Sequence, residues 1–280
     1  MSGIQLEFLR TWIGKETISE DVLSSRHARL MGATLGLPQD ALVDGAELPP
    51  LWHWLYFLEG LPAGELGPDG HPARGGFLPP VPLPNRMWAG GRLEFHAPLA
   101  LGRSVRKRSA VRSIGHKRGR SGDLVFVTVR HEILDGDRIA ITEDHDIVYK
   151  ETTPPHAASE APVAGPQASH SERFEATSTM LFRYSALTFN GHRIHYDQDY
   201  CRHVEGYANL VIHGPLQATL LANMAARLGQ KPLRHFHYRG LRPSVLGTSL
   251  TVNAAPTVDG LSLWTAQPDG SVSMQAEATF

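Results

Sequence analysis

The segments 181–197 and 205–217 bring together side chains suited to moving protons, among them three imidazoles (His192, His195, His213), a carboxamide (Asn190) and a carboxylate (Asp197). Imidazole is the side chain whose ordinary pKa lies closest to neutrality, which suits general acid–base work. His213, Gly214 and Pro215 then read as a helix start, because proline is favoured in the first turn, where its missing N–H is no loss. The unpaired N–H groups there, with the positive end of the helix dipole, suit an oxygen that gains negative charge. A proton-transfer group beside an oxyanion site is what chemistry next to a carbonyl requires. Metal chemistry is not expected, since His192 and His195 match no zinc spacing and lack a third ligand at a usual offset.

The elements that must carry these residues fall into two halves. Residues 151–171 are small, polar and proline-rich without apolar periodicity, and read as a linker between an N-terminal half (1–150) and a C-terminal half (172–280). A faint repeat relates them: Pro98, Gly102 and Ser104 match Pro243, Gly247 and Ser249 in spacing, and each segment leads into alternating strands. Asp135-Gly136 and Asp269-Gly270 are hairpin signals in corresponding places. Residues 123–133 and 138–149 have strand patterns. A principal apolar helix is expected upstream of the strands in each half, around Leu51 to Leu58 in the first and from Pro215 to Leu228 in the second. One helix wrapped by an antiparallel sheet, present twice, is an α+β arrangement whose two sheets would join edge to edge. From Gly60 to Gly91 runs a Gly/Pro-dense insertion that includes Arg86 and Trp88. Such a loop suits a stiff strap over a ligand groove as well as it suits a surface flap.

Composition sets the outer bounds. The chain has 280 residues, 41% hydrophobic and 20% charged, with a net charge of −1, which fits a globular protein without a global field for nucleic acid. The local basic run from Arg103 to Arg120 reads as a solvated strand face and charged loop, with grip on a small anion as the alternative. No apolar run approaches a membrane span and no signal peptide is evident. The single cysteine, Cys201, excludes an internal disulfide framework; it fits a reducing, cytoplasmic setting and lacks a nucleophile motif.

The motif residues resemble the MaoC-like hydratase/dehydratase branch of the hot dog fold. That branch carries Asp-x-Asn-Pro-x-His, followed by a His-Gly at the start of its central helix. Asn190 stands at the Asp position, His195 at the His position, and His213-Gly214 at the helix start; His192 and Arg193 replace the Asn and Pro. The run from Thr188 to Asp197, the Trp12-Ile-Gly-Lys opening and the single-chain length are similar to a narrower group. That group holds the type 2 hydroxyacyl-thioester dehydratases and the mesaconyl-CoA and itaconyl-CoA hydratases. The resemblance implies a double hot dog fold, with a degenerate first half shaping the groove and a catalytic second half. It also implies an acyl-CoA thioester substrate, no cofactor and a homodimer.

In this reading His195, with Asn190 or Asp197, activates water for addition to a double bond conjugated to a thioester, and the N–H of Gly214 holds the enolate-like oxygen. Asparagine cannot act as a carboxylate base, but its amide can orient a water. Arg193, Arg183 or Arg86 would meet the second carboxylate of a dicarboxylic substrate such as itaconyl-CoA or mesaconyl-CoA, giving citramalyl-CoA. Trp88, Tyr196 and His213 complete the expected substrate-binding set. The alternatives are a 3-hydroxyacyl-thioester dehydratase of fatty acid synthesis and a non-catalytic acyl-CoA-binding protein. Thioester hydrolysis is discounted, because the helix 215–228 carries no carboxylate.

Overall fold

In the computed structural model, which describes residues 3–119, 122–151 and 164–280, ten strands form one antiparallel sheet. The first half contributes β1 (Glu16–Val22), β2 (Asn85–Phe95), β3 (Ser104–Gly119), β4 (Gly122–Asp135) and β5 (Arg138–Lys150). The second contributes β6 (His170–Phe174), β7 (His235–Gly240), β8 (Leu250–Pro256), β9 (Gly260–Ala266) and β10 (Val272–Thr279). The order is β1-β3-β4-β5-β2-β7-β10-β9-β8-β6. Read inward from either edge, the strands of each half follow the sequence first, third, fourth, fifth, second. The faint repeat is therefore a repeat of topology. The halves join edge to edge through β2 and β7, with Leu93 opposite Phe236, so neither half exposes that edge. β6 starts inside the range expected for the linker, and residues 152–163 of that range lie outside the described residues.

Among the described residues five α-helices accompany the sheet: α1 (Leu6–Arg10), α2 (Ser25–Leu35), α3 (Ser178–Leu187), α4 (Gln198–His203) and α5 (Gly214–Gly229). α5 is the expected second-half helix. It opens with Pro215 in its first turn and closes at Gln230 in the left-handed region (φ 53°). Its buried face is built largely from small residues, Ala218, Ala222 and Ala225 with Leu216 and Leu221, so the backbone lies close to β8, β9 and β10. The Asp135-Gly136 and Asp269-Gly270 turns join β4 to β5 and β9 to β10, with both glycines at positive φ (62° and 80°), a conformation L side chains rarely adopt.

The first-half helix is a correction. Leu51 to Leu58 holds only one 3₁₀ turn, Trp52–Leu55, and the longest first-half helix is α2. Pro49 and Pro50 precede the run, and Leu51 (φ 68°) and Phe57 (φ 60°) both adopt the left-handed region, which breaks a helix at each end. Trp52, Leu55, Tyr56 and Phe57 are nonetheless buried in the main core. In the first half Lys107 of β3, His131 and Ile133 of β4, and Glu143 and His145 of β5 face a cleft.

The Gly60–Gly91 insertion also differs from expectation at its end. Asn85 onward is β2, so Arg86 and Trp88 are strand residues rather than loop residues. Phe77, Leu78, Val81 and Leu83 of the strap pack with Leu9, Val125, Val127 and Tyr149 in a second core, and Arg74 donates to the Val81 carbonyl at 2.7 Å. Burial of those side chains pins the strap. Among the described residues no helix is long and apolar enough to cross a membrane.

Candidate active site

A cleft of about 800 Å³ is lined from both halves. Asn190, Gly191, Tyr196 and Pro215 come from the second half; Trp54, His71, Trp88, Glu143 and His145 come from the first. Asn190 follows α3, which is capped by Thr177 accepting from the Met180 N–H at 3.1 Å. Its side-chain oxygen accepts from the His192 N–H at 3.0 Å, which is the turn-forming habit of asparagine and leaves its NH₂ free of that bond.

His195 sits on a 3₁₀ turn, Arg193–His195, and is 6% exposed. Its Nδ1 lies 2.7 Å from the Val211 carbonyl oxygen. A carbonyl only accepts, so Nδ1 carries the hydrogen and Nε2 keeps its lone pair. Burial lowers its pKa to about 4, so the ring is a neutral acceptor at neutral pH. His195 lies beneath the cleft surface rather than among the lining residues, stacked on His213 with centroids 3.6 Å apart. His213 is fully buried, bonded through Nε2 to Ser185 Oγ at 2.9 Å. It supports His195 from below and, contrary to expectation, is not among the cleft-lining residues. Gly214 opens α5 against Trp88: a Cβ on it would come 2.9 Å from the indole Cε3. Trp88 stacks on Tyr238 (4.5 Å, 11°), which fixes the wall beside the helix start.

Asp197 does not meet His195. One carboxylate oxygen accepts from the Tyr200 N–H at 3.0 Å and caps α4; the other takes Arg193 Nε (3.0 Å) and Nη2 (2.7 Å). Arg193 also donates to the Pro68 carbonyl at 3.1 Å and stacks on Tyr200. The two expected site residues are thus bonded to each other, and neither is placed against His195. Arg183 is exposed on α3 and is not among the cleft-lining residues. Arg86 is half-buried on the same face of β2 as Trp88, and among the described residues no carboxylate lies within ion-pair distance of it. It is close enough to Asp69, His71 and His145 to shift their titrations. Tyr196 lines the rim and donates to the Gly191 carbonyl at 2.9 Å.

Two clusters were not found from the sequence. In the strap, His71 Nδ1 bonds Asp69 Oδ2 at 3.1 Å, and the His71 ring lies 4.3 Å from that of His192. In the first half, His53 Nε2 meets the buried Glu143 at 2.9 Å, and Trp54 Nε1 donates to both Glu143 oxygens. No spacing rule links residues 90 positions apart. The Asp-Gly-His triplet at 69–71 was legible only as turn punctuation. Asp69, His71 and His192 offer ligand atoms within 4.8 Å of one another. His71 Nδ1 and Asp69 Oδ2 already bond each other, and the Arg86 and Arg74 charges act on His71, so the donor set fits a proton better than a dication.

The remaining candidates take bland roles. Cys201 is buried, donates through Sγ to Ile194 O (3.3 Å), and burial pushes its thiol up to about 11, so it is inert. In the basic run Arg103, Arg108 and His116 pair with Asp135, Glu132 and Asp123 on the neighbouring strand and turn. These residues form a solvated strand face, whereas Lys107 of the same run lines the cleft with its Nζ 5.0 Å over the Phe57 ring; Arg120 lies outside the described residues.

The fold and the position-190 to position-214 constellation define a hot dog hydratase/dehydratase. The family model for hydroxyacyl-thioester dehydratase type 2 matches residues 51–246, and the chain belongs to that family; it is an enzyme of the hydro-lyase type. It is 42% identical over 267 residues to the mesaconyl-C(4)-CoA hydratase of Chloroflexus aurantiacus, covering 95% of each chain. It is 29% identical to the mitochondrial hydroxyacyl-thioester dehydratase type 2 of Schizosaccharomyces pombe, over 86% of this chain and 91% of that one. A MaoC-like dehydratase from Phytophthora capsici superposes with a TM-score of 0.75 at 13% identity over 99% of this chain and 98% of its own. A Mycobacterium tuberculosis protein described as a double hotdog fold gives 0.59 at 14% identity over 96% of each chain. The double hot dog architecture follows.

Proposed function

We propose that the enzyme adds water to the double bond of a short branched or dicarboxylic enoyl-CoA, mesaconyl-CoA or itaconyl-CoA, giving citramalyl-CoA. The observation that carries this reading is the convergence of Asn190 and the Gly214-Pro215 helix start on one cleft, in a chain 42% identical to a mesaconyl-C(4)-CoA hydratase. In this reading the Asn190 amide and the Nε2 lone pair of His195 hold the attacking water. As the water oxygen bonds the β-carbon, the thioester oxygen gains charge and is met by the Gly214 N–H. Arg86, half-buried two residues from the cleft-lining Trp88 on β2 and without an ion pair among the described residues, holds the distal carboxylate in this reading. The single buried Cys201 suits a cytoplasmic setting, and sedimentation tests the homodimer.

The second reading, dehydration of longer 3-hydroxyacyl thioesters, is favoured by the apolar side chains at the cleft, Leu58, Leu61, Leu66, Phe182 and Phe189, all of them exposed. Initial rates on crotonyl-, mesaconyl-, itaconyl- and longer enoyl-CoA thioesters separate the two. Preference for the dicarboxylic thioesters supports the first reading; preference for crotonyl-CoA or longer chains overturns it.

A further inference from the structure

The hydratase reading leaves a chemical gap. Position 190 carries an amide where the wider branch has a carboxylate, and the carboxylate expected to compensate, Asp197, is engaged by Arg193 and a helix cap. The proton released by water needs an acceptor whose charged form is stabilised. His195 has only a backbone carbonyl behind it.

We propose that the strap supplies this acceptor as the couple Asp69–His71, with His71 as a catalytic acid–base residue and Asp69 as the group that positions it. This rests on the hydratase reading. His71 lines the same cleft as Asn190 and Gly191. Its Nδ1 faces Asp69 Oδ2 at 3.1 Å, and the Asp69 carboxylate also accepts the His71 N–H at 3.0 Å. An ionised carboxylate only accepts, so Nδ1 bears the hydrogen and Nε2 is left as the base.

The couple is built into the site. Gly70 and Gly191 cross so closely that a Cβ on Gly191 would lie 2.7 Å from the Gly70 carbonyl oxygen, and a Cβ on Gly70 would collide with the Gly191 carbonyl. Gly70 also holds φ 84°, in the left-handed region. The Arg193 N–H donates to the Asp69 carbonyl at 2.9 Å and its guanidinium to the Pro68 carbonyl at 3.1 Å. The Arg193–Asp197 pair thus anchors the strap to the segment that carries Asn190 and His195.

The step balances on these groups. Water hydrogen-bonds the Nε2 of His195 with one hydrogen and gives the other to Nε2 of His71. Its oxygen bonds the β-carbon, and the π electrons move onto the thioester oxygen at the Gly214 N–H. The His71 imidazolium, held beside Asp69, then returns its proton to the α-carbon as the enolate collapses. Burial is the largest influence lowering the pKa of His71 and keeps it neutral at rest, while Asp69 raises it; Arg86, Arg74 and, across the ring contact, His192 face it from β2, the strap and the 193–195 turn.

The test is a variant set, His71→Ala, Asp69→Asn and His195→Ala, assayed on whichever thioester the wild type hydrates fastest, with binding of butyryl-CoA measured in parallel. His71→Ala should lose kcat by about 10² or more, the scale of a general acid–base group, bind butyryl-CoA as wild type does, and regain turnover with added imidazole. Asp69→Asn should lower kcat and move the acid limb of the pH profile to lower pH, because the group that raises the His71 pKa is gone. Wild-type turnover in folded His71→Ala, or loss on chelation restored by zinc, overturns the couple while the hydratase reading stands. If the wild type hydrates no thioester, the hydratase reading has failed; the couple is then judged by the NMR titration of His71. An unchanged titration in Asp69→Asn overturns the couple.

Discussion

Arg193 and Asp197 face each other across one turn, Nη2 to Oδ2 at 2.7 Å, and hold the strap against the 190–197 segment. Neither is left free for substrate. Asp197→Asn keeps the cap on α4, since asparagine accepts from the Tyr200 N–H as aspartate does, but loses the ion pair. It should lower Tm slightly and leave KM for a dicarboxylic thioester unchanged. A dead Asp197→Asn with a wild-type Tm would instead restore Asp197 as the partner of His195.

His195→Ala and His195→Gln should lose hydration by at least about 10² while keeping the fold. Near-UV circular dichroism checks the packing against His213. Asn190→Asp should retain much of the activity and Asn190→Ala should lose it, since only the former keeps a polar group for the water. Equal turnover in Asn190→Ala and wild type would remove that role.

Arg86→Lys tests substrate charge. A guanidinium holds a carboxylate through two parallel hydrogen bonds, which an ammonium does not reproduce. KM for mesaconyl-CoA or itaconyl-CoA should rise about tenfold, or roughly 1.4 kcal/mol, with crotonyl-CoA affected far less. An equal rise for all three thioesters points to a coenzyme phosphate, and no rise for any excludes Arg86.

The sequence carried the architecture further than it carried the site. Alternation in 123–133 and 138–149, the two Asp-Gly turns and the 215–228 helix sit on local rules of period and turn chemistry, and each reappears in the fold. The apolar run from Leu51 to Leu58 misleads because a segment buried on all sides has no polar face to reveal its period. Arg86 and Trp88 looked like strap residues because Pro79, Pro80, Pro82 and Pro84 lead directly into β2. At the site, the motif from Asn190 to Gly214 was legible as a resemblance. Asp69–His71 and His53–Glu143 were not, because each couple acquires its meaning only when the chain folds one segment onto another.

Acid should destabilise the protein well before its carboxylates titrate. Burial lowers the pKa of His195 to about 4, that of His131 to about 3 and that of His192 to about 2, against an ordinary 6.5. These rings are neutral in the folded chain and take up protons on unfolding as the pH drops below 6.5. In that window the unfolded state binds more protons, so stability rises with pH. Their contribution is fully present above about 6.5 and is lost as pH falls from there toward the folded values, at no more than about 1.4 kcal/mol per pH unit for each ring. Glu143 acts lower down. Burial alone would raise its pKa, but the hydrogen bond and charge of His53 outweigh burial and bring it to about 2 from 4.5. Its stabilisation is present above 4.5 and lost below. Urea midpoints should therefore hold steady from pH 8 to 7, fall progressively from 6.5 to 4.5, and fall more steeply beneath that. His195→Gln removes one buried imidazole and should flatten the 6.5–4.5 segment; Glu143→Gln should flatten only the segment below 4.5. A midpoint that stays constant from pH 7 to 5 in the wild type would mean that these imidazoles are hydrated or charged in the folded protein, and the buried stack of His195 on His213 would have to be abandoned.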